Sequence, residues 1–327
     1  MGARRTAGVN DAGQTMKTLL LSTTMVLLGV VNASAQQAAT AAPVPWPVFD
    51  ETIAPGANYD KAEFRLAVPL GLARVRAVLV LVPGSNGDGR PMAEDSFWQA
   101  FAAKHQLAIV ACRFTDKPHE QSFLEDYVAV ANGSGQALLD GVSALAKKSG
   151  HPEIATAPFL MWGMSAGGQV NYEFAAWRPD RVIAFVVNKG GVYYSALVPR
   201  AARNVPALLF VGDKDLEFRI NTIQGLFAVN RRAGALWAYV VEPDTAHAVG
   251  RSRDLGAMFF ADVLAIRLSG ETLSPVPDKS GFIGDLKGAT FQALGAVSPP
   301  TVPTAWLPTE RIARAWQAVV TAKPFDP

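Results

Sequence analysis

Gly163-Met164-Ser165-Ala166-Gly167-Gly168 is the segment of this 327-residue chain whose residue types and spacing could do chemistry. A serine hydroxyl becomes a nucleophile when a neighbouring base takes its proton. The Gly-x-Ser-x-Gly spacing suits a chain that leaves a strand, reverses within one or two residues and enters a helix, with the serine strained at the strand's end. The flanking glycines remove side chains that would collide with the adjoining strand and helix. The new helix directs free N–H groups and its positive dipole end at a developing oxyanion. Gly, Ser and Ala are common, so the spacing alone is weak; the apolar strand before it and the helical pattern after it give it weight. The plain alternative is a glycine-rich turn without chemistry.

A histidine suits the base, since it titrates near neutral pH. The chain has four. His105 sits at a helix end, His119 in a polar loop and His151 in a helix-to-strand connection, and all three precede Ser165. The acid and then the histidine follow a nucleophile of this kind in chain order, and only His247 satisfies that order. Its alternative role is a surface-loop residue. The acid belongs at a strand end between Ser165 and His247. The strand Leu208 to Val211 is followed by Gly212-Asp213-Lys214-Asp215-Leu216-Glu217. Asp215 is favoured because a strand-Gly-x-x-Asp turn carries the carboxylate past the strand end and back over the sheet edge. Asp213 and Glu217 remain alternatives, otherwise solvated loop charges. The acid's work is to hold the imidazole in one tautomer and stabilise the imidazolium.

An oxyanion needs two backbone N–H donors. One belongs to Ala166, after the nucleophile. The other belongs to the loop Pro83-Gly84-Ser85-Asn86-Gly87-Asp88-Gly89, which follows an apolar strand. Ser85 is the first choice and Asn86 the alternate, with Asn86 also a candidate substrate contact. The loop lacks the Gly-Lys-Ser/Thr ending of a phosphate-binding loop, so no nucleotide site is expected. Tyr193 and Tyr194 follow a strand and are expected near the top of the sheet, lining an acyl or alcohol pocket or simply packing. The single cysteine, Cys112, excludes an intrachain disulfide and a cysteine-based zinc site. It follows an apolar run and is expected as a buried, inert thiol. No metal or organic cofactor is implied.

These residues need a scaffold. Short apolar runs read as strands over Glu63 to Val68, Ala77 to Val82, Leu107 to Ala111, Phe159 to Trp162, Val182 to Val187, Ala207 to Val211 and Trp237 to Val241. Helical spacing covers Met92 to His105, Ala137 to Leu145, Gly167 to Trp177 and Leu255 to Leu268. The alternation predicts an α/β fold with a mostly parallel central sheet between helix layers. After Leu268 prolines accumulate and strand signals stop. Thr309 can cap a last helix with the apolar stripe Ile312, Ala315, Trp316, Val319 and Val320. That region, 269–327, is expected to be a proline-rich strap packed on a catalytic domain over 48–268. A sharper alternative has Trp306 or Trp316 bordering a cleft.

At the other end, Arg4, Arg5 and Lys17 precede the run Leu19 to Val31. That run is short of the ~20 residues a membrane-spanning helix needs. Ala33-Ser34-Ala35 reads as a cleavage site, so 1–35 is expected to be a signal peptide, starting at Met1 or Met16. Residues 36–47, rich in Ala and Pro, are a flexible lead-in. The mature chain is then expected in the periplasm or outside the cell, with no stable membrane insertion. Half of the residues are apolar and 18% are charged, which excludes a disordered chain. The net charge of +2 and the lack of a dense Lys/Arg run exclude a polybasic nucleic-acid binder.

From Glu63 to Leu268 the chain resembles the α/β-hydrolase superfamily, on the Pro83-Gly84-Ser85 turn, the Gly163 to Gly168 elbow, Gly212 to Asp215 and His247. The Ser-Ala-Gly-Gly elbow is similar to the secreted feruloyl-esterase and polyhydroxybutyrate-depolymerase branch. The Pro-Gly-x turn is similar to secreted polyester hydrolases, with Ser85 where that group often has an aromatic residue. The chain also resembles exported bacterial α/β-hydrolases of unassigned substrate, a likeness that extends to Val187-Asn188-Lys189-Gly190-Gly191 and the proline-rich tail. The resemblance implies a serine carboxylic-ester hydrolase with a Ser165-His247-Asp215 triad and an acyl-enzyme, acting on a small-molecule or polymeric ester. A serine peptidase or amidase on the same fold, a polyester depolymerase and a non-catalytic binding protein are the alternatives.

Overall fold

The computed structural model describes residues 45–121, 124–270, 272–277, 279–296 and 303–326. The expected signal peptide over 1–35 and most of the lead-in lie outside them. The chain begins with β1 (Val48–Ile53), β2 (Lys61–Ala67) and β3 (Ala77–Val82). Then come α1 (Ser96–His105), β4 (Leu107–Thr115), α2 (Ser134–Ser149), β5 (Phe159–Met164), α3 (Ala166–Trp177), β6 (Val182–Asn188) and the short α4 (Arg200–Arg203). The second half runs β7 (Ala207–Gly212), α5 (Glu217–Arg232), β8 (Trp237–Glu242) and α6 (Ser252–Arg267). It ends with β9 (Leu268–Ser269), β10 (Thr272–Leu273), β11 (Phe282–Asp285), β12 (Thr290–Ala293), β13 (Ala305–Leu307) and α7 (Glu310–Val320).

Within the described residues, eight strands form one sheet in the order β1-β2-β4-β3-β5-β6-β7-β8. β1, β2 and β4 pair antiparallel, and from β4 to β8 the pairing is parallel. The central strands are apolar on both faces because both are covered: every residue of β3, AVLVLV, is buried, as is every residue of β6. Successive side chains point to opposite faces. Val78, Val80 and Val82 therefore join one core with Leu138 and Val142 of α2, Phe174 of α3 and Phe227 of α5. Leu79 and Leu81 join the other, with Trp98 of α1, Phe259 and Phe260 of α6 and Trp316 of α7.

β3 pairs with β4 on one side and β5 on the other. The connections therefore diverge at β3, which opens a crevice at the carboxyl ends of the strands, where open α/β sheets place ligands. The loop after β3 and the turn after β5 both lie at that crevice.

Three elements differ from expectation. β1 was not foreseen; it is an edge strand with alternating exposure, VFDETI, and lacks a continuous apolar run. α5 was not foreseen because its inward face is sparse, chiefly Ile223, Leu226 and Phe227, while Phe218 and Val229 stay exposed. Strands also continue past Leu268: β11 pairs with both β12 and β13. These are two to four residues long, too short to print a period-two pattern. The last helix starts as expected, with Thr309 accepting from the Ile312 N–H at 3.2 Å. Trp306 and Trp316 are buried, and their indole N–H groups donate to Ser280 O and Tyr239 O. Both are packing residues. No helix among the described residues is long and apolar enough to cross a membrane.

Candidate active site

Ser165 ends β5 and immediately precedes α3, at φ 55° and ψ −126°. A non-glycine residue at such angles is strained by about 1–3 kcal/mol and persists only where the surroundings over-determine it. Here the Ser165 N–H donates to Asn188 O at 2.7 Å, and the Ser165 carbonyl accepts from the Gly168 and Gln169 N–H groups. The glycines of the motif have a steric reason. A Cβ on Gly167 would stand 2.1 Å from Val82 O, and one on Gly163 would stand 2.3 Å from Gly167 O. The backbones of β3, β5 and α3 meet too closely here for side chains.

The Asp215 carboxylate and His247 are brought together: His247 Nδ1 lies 2.8 Å from Asp215 Oδ2. Asp215 is in the turn after β7, with its side chain 2% exposed, and His247 is in the loop after β8 with 30% exposed. The other carboxylate oxygen, Oδ1, accepts from the Leu216 N–H at 2.7 Å and from Arg219 Nη1 at 2.9 Å. Burial pushes the Asp215 carboxyl up, but the hydrogen bonds from His247, the Leu216 N–H and Arg219 outweigh it and hold it below the usual carboxylate range. The alternatives lie elsewhere. Asp213 accepts from the Thr245 N–H at 3.3 Å and Glu217 faces Asn221 on α5. Of the other histidines, His105 packs on Phe101, His119 lies 3.5 Å from Asp116 and His151 3.0 Å from Glu153.

Ser165 Oγ has no hydrogen bond among the described residues, to His247 or otherwise. Catalytic hydrogen bonds are commonly long before substrate binds. Asn188 links the two segments instead: its carbonyl accepts from the Ser165 N–H, and its side-chain Nδ2 donates to Val249 O at 3.2 Å and Ala248 O at 3.4 Å.

The loop after β3 lies against Ser165, since a Cβ on Gly84 would lie 3.6 Å from Ser165 Cβ. Within it, the Asn86 N–H donates to Tyr127 Oη at 3.1 Å, and the Asn86 side chain accepts from the Asp116 N–H at 2.7 Å. That engagement uses the Asn86 N–H, whereas the Ser85 N–H has no backbone or side-chain partner among the described residues. Tyr193 packs edge-on against Tyr172, with centroids 5.0 Å apart. Tyr194 is exposed and borders a cavity of about 290 Å³ shared with Glu173 and Trp177. Sequence reasoning missed Tyr127, Arg219 and the Glu242 carboxylate behind the His247 loop. No cluster of three or more His, Cys, Asp or Glu side chains able to hold a metal ion occurs among the described residues. Cys112 is a buried free thiol, and burial pushes its titration up.

No protein-family model and no curated protein matches the sequence. Among solved structures, a ferulic acid esterase superposes with a TM-score of 0.50 at 13% identity, over 67% of this chain and 98% of its own. Poly(aspartic acid) hydrolase-1 from Sphingomonas sp. KT-1 gives 0.43 at 14% identity, over 67% of this chain and 98% of its own. LpqC, a poly(3-hydroxybutyrate) depolymerase from Bordetella parapertussis, gives 0.44 at 18%, over 67% and 89%. The sheet order and the first of these superpositions define the fold as that of the α/β-hydrolases. At such identities the likeness concerns the fold alone.

Proposed function

We propose that this chain is a serine carboxylic-ester hydrolase acting on a small-molecule or polymeric ester. Ser165 Oγ attacks the ester carbonyl while His247 Nε2 takes its proton. Asp215, bonded to the other ring nitrogen, fixes the tautomer that leaves Nε2 free to accept and stabilises the imidazolium. The Ser85 and Ala166 N–H groups receive the oxyanion. His247 then protonates the departing alcohol, leaving an acyl group on Ser165. Water, deprotonated by His247, releases the acid and restores the serine. The observation that carries this reading is the 2.8 Å contact of a buried Asp215 with His247 at the strand ends, with a strained Ser165 tied to the same loop through Asn188. The basic-apolar-small pattern over 1–35 supports a place outside the cytoplasm.

Ser165→Ala tests the assignment. It removes the attacking atom and is expected to abolish hydrolysis of a short p-nitrophenyl ester while the circular dichroism spectrum and melting transition stay as in the parent. Turnover retained in the folded variant refutes the reading.

A further inference from the structure

Lys189 is fully buried at the end of an apolar strand, the one buried lysine among the described residues. It directly follows β6, at φ 58°, and its N–H donates to Phe210 O on β7 at 3.0 Å. Its ammonium donates to Asn188 Oδ1 at 3.0 Å and to Glu242 Oε2. Glu242, the last residue of β8, is 2% exposed. Its second oxygen, Oε1, accepts from the Arg251 N–H at 2.5 Å.

Glu242 is therefore the residue before the His247 loop, and its carboxylate binds the backbone at the loop's far end. The loop is closed on one carboxylate. The fit explains Gly250, which sits at φ 54° and where a Cβ would stand 2.3 Å from Glu242 Oε1. Asn188 makes the second tie. Its carbonyl accepts from the Ser165 N–H, its Nδ2 donates to the carbonyls of Ala248 and Val249, and its Oδ1 accepts the hydrogen bond from the Lys189 ammonium that orients the amide.

We propose that Lys189 and Glu242 are positioning residues that, through Asn188 and Arg251, set the His247 loop in register with the Ser165 elbow. The inference rests on the catalytic reading above. An ion pair buried in a fold is weak support for stability, because apolar residues of similar size often do as well. Its retention here has a different use: Lys189 supplies a donor to Asn188 and Glu242 an acceptor to Arg251, which apolar side chains cannot do.

Two variants test this. Glu242→Gln removes the counter-charge while keeping the shape. Lys189→Met with Glu242→Leu removes both charges together with the Lys189–Asn188 and Glu242–Arg251 ties, and it is the variant expected to fold without an orphaned charge. The double variant is expected to melt near the parent and to lose kcat by about 10- to 100-fold, as a displacement on the scale of 1 Å does. KM for a p-nitrophenyl ester is expected within about twofold, because no substrate contact is touched. The low-field proton resonance of the His247–Asp215 hydrogen bond is expected to broaden or vanish in both variants. A folded double variant that keeps both the resonance and the parent kcat overturns the proposal, as does a loss confined to melting temperature. Should the parent hydrolyse no ester, the catalytic reading fails, and the resonance, which reports His247 placement without substrate, still decides whether the clamp positions that ring.

Discussion

Asp215→Asn is the substitution whose outcome the geometry dictates most closely. Asp215 Oδ1 already accepts from two donors, the Leu216 N–H at 2.7 Å and Arg219 Nη1 at 2.9 Å, while Oδ2 faces His247 Nδ1 at 2.8 Å. An asparagine carries one acceptor and one donor group. Its carbonyl must stay with Leu216 and Arg219, since the reverse would set an amide NH₂ against a guanidinium and a backbone N–H. The NH₂ group then points at His247 Nδ1, which can only accept. The imidazole is forced to carry its proton on Nε2, the nitrogen that should take the Ser165 proton. Loss of the correct tautomer in a serine triad lowers kcat by about 10⁴, equivalent to about 5 kcal/mol in the barrier at 1.36 kcal/mol per tenfold. The variant is nearly isosteric, so it should fold, and the Ser85 and Ala166 donors should leave a residual rate above that of buffer. Stopped-flow and steady-state hydrolysis of p-nitrophenyl acetate at neutral pH measures this directly. Asp213→Asn is the control: its carboxylate caps a partly exposed loop, and its effect should stay within about twofold, as surface substitutions do. A folded Asp215→Asn enzyme within tenfold of the parent would show that Asp215 does not govern the His247 tautomer.

Trp316→Ala probes the C-terminal region. The side chain is 1% exposed in the core between α7 and β8, and its indole N–H donates to Tyr239 O at 2.9 Å. Such truncations cost about 3–5 kcal/mol, to be read from urea unfolding; a loss below about 1 kcal/mol would mean that α7 is not part of the cooperative core. Asp88 closes the loop after β3. The hydrogen bond from Arg90 holds its carboxyl down at about 2, below the ordinary 3.8. A depressed carboxyl stabilises the fold above its unfolded value, and that contribution is lost as pH falls through the folded one. The stability gap between the parent and Asp88→Asn should thus be constant above about pH 5 and close between about pH 4 and pH 2. A gap that does not change with pH contradicts the pairing.

Much of the candidate site was legible because its demands fall on neighbours in sequence. The elbow needs glycines at fixed offsets from Ser165, since Gly163 and Gly167 lie against backbone atoms. The central strands were legible because burial on both faces leaves unbroken apolar runs such as AVLVLV. His247 followed from chain order once Ser165 was placed, whereas Asp215 was favoured over Asp213 and Glu217 by the turn after its strand. What stayed hidden depends on pairings across the fold. Nothing local marks Tyr127 as the partner of Asn86, Arg219 as the second donor to Asp215, or Glu242 as the counter-charge of Lys189. The clearest available sign was a lysine directly after VIAFVVN, where a solvated side chain has nowhere to go. The edge strand β1, the helix α5 and the short strands after Leu268 escaped for a simpler reason: each buries too few residues to impose a period.

A fluorophosphonate probe tests the central claim most directly, because it reacts with a serine only where a base and an oxyanion hole act on it together. Labelling of the folded protein followed by peptide mass spectrometry should place one adduct on Ser165. His247→Ala should slow that labelling by orders of magnitude at unchanged fold, and Ser165→Ala should abolish it. Absence of labelling in the native parent, or an adduct on another serine that persists in Ser165→Ala, would contradict the account.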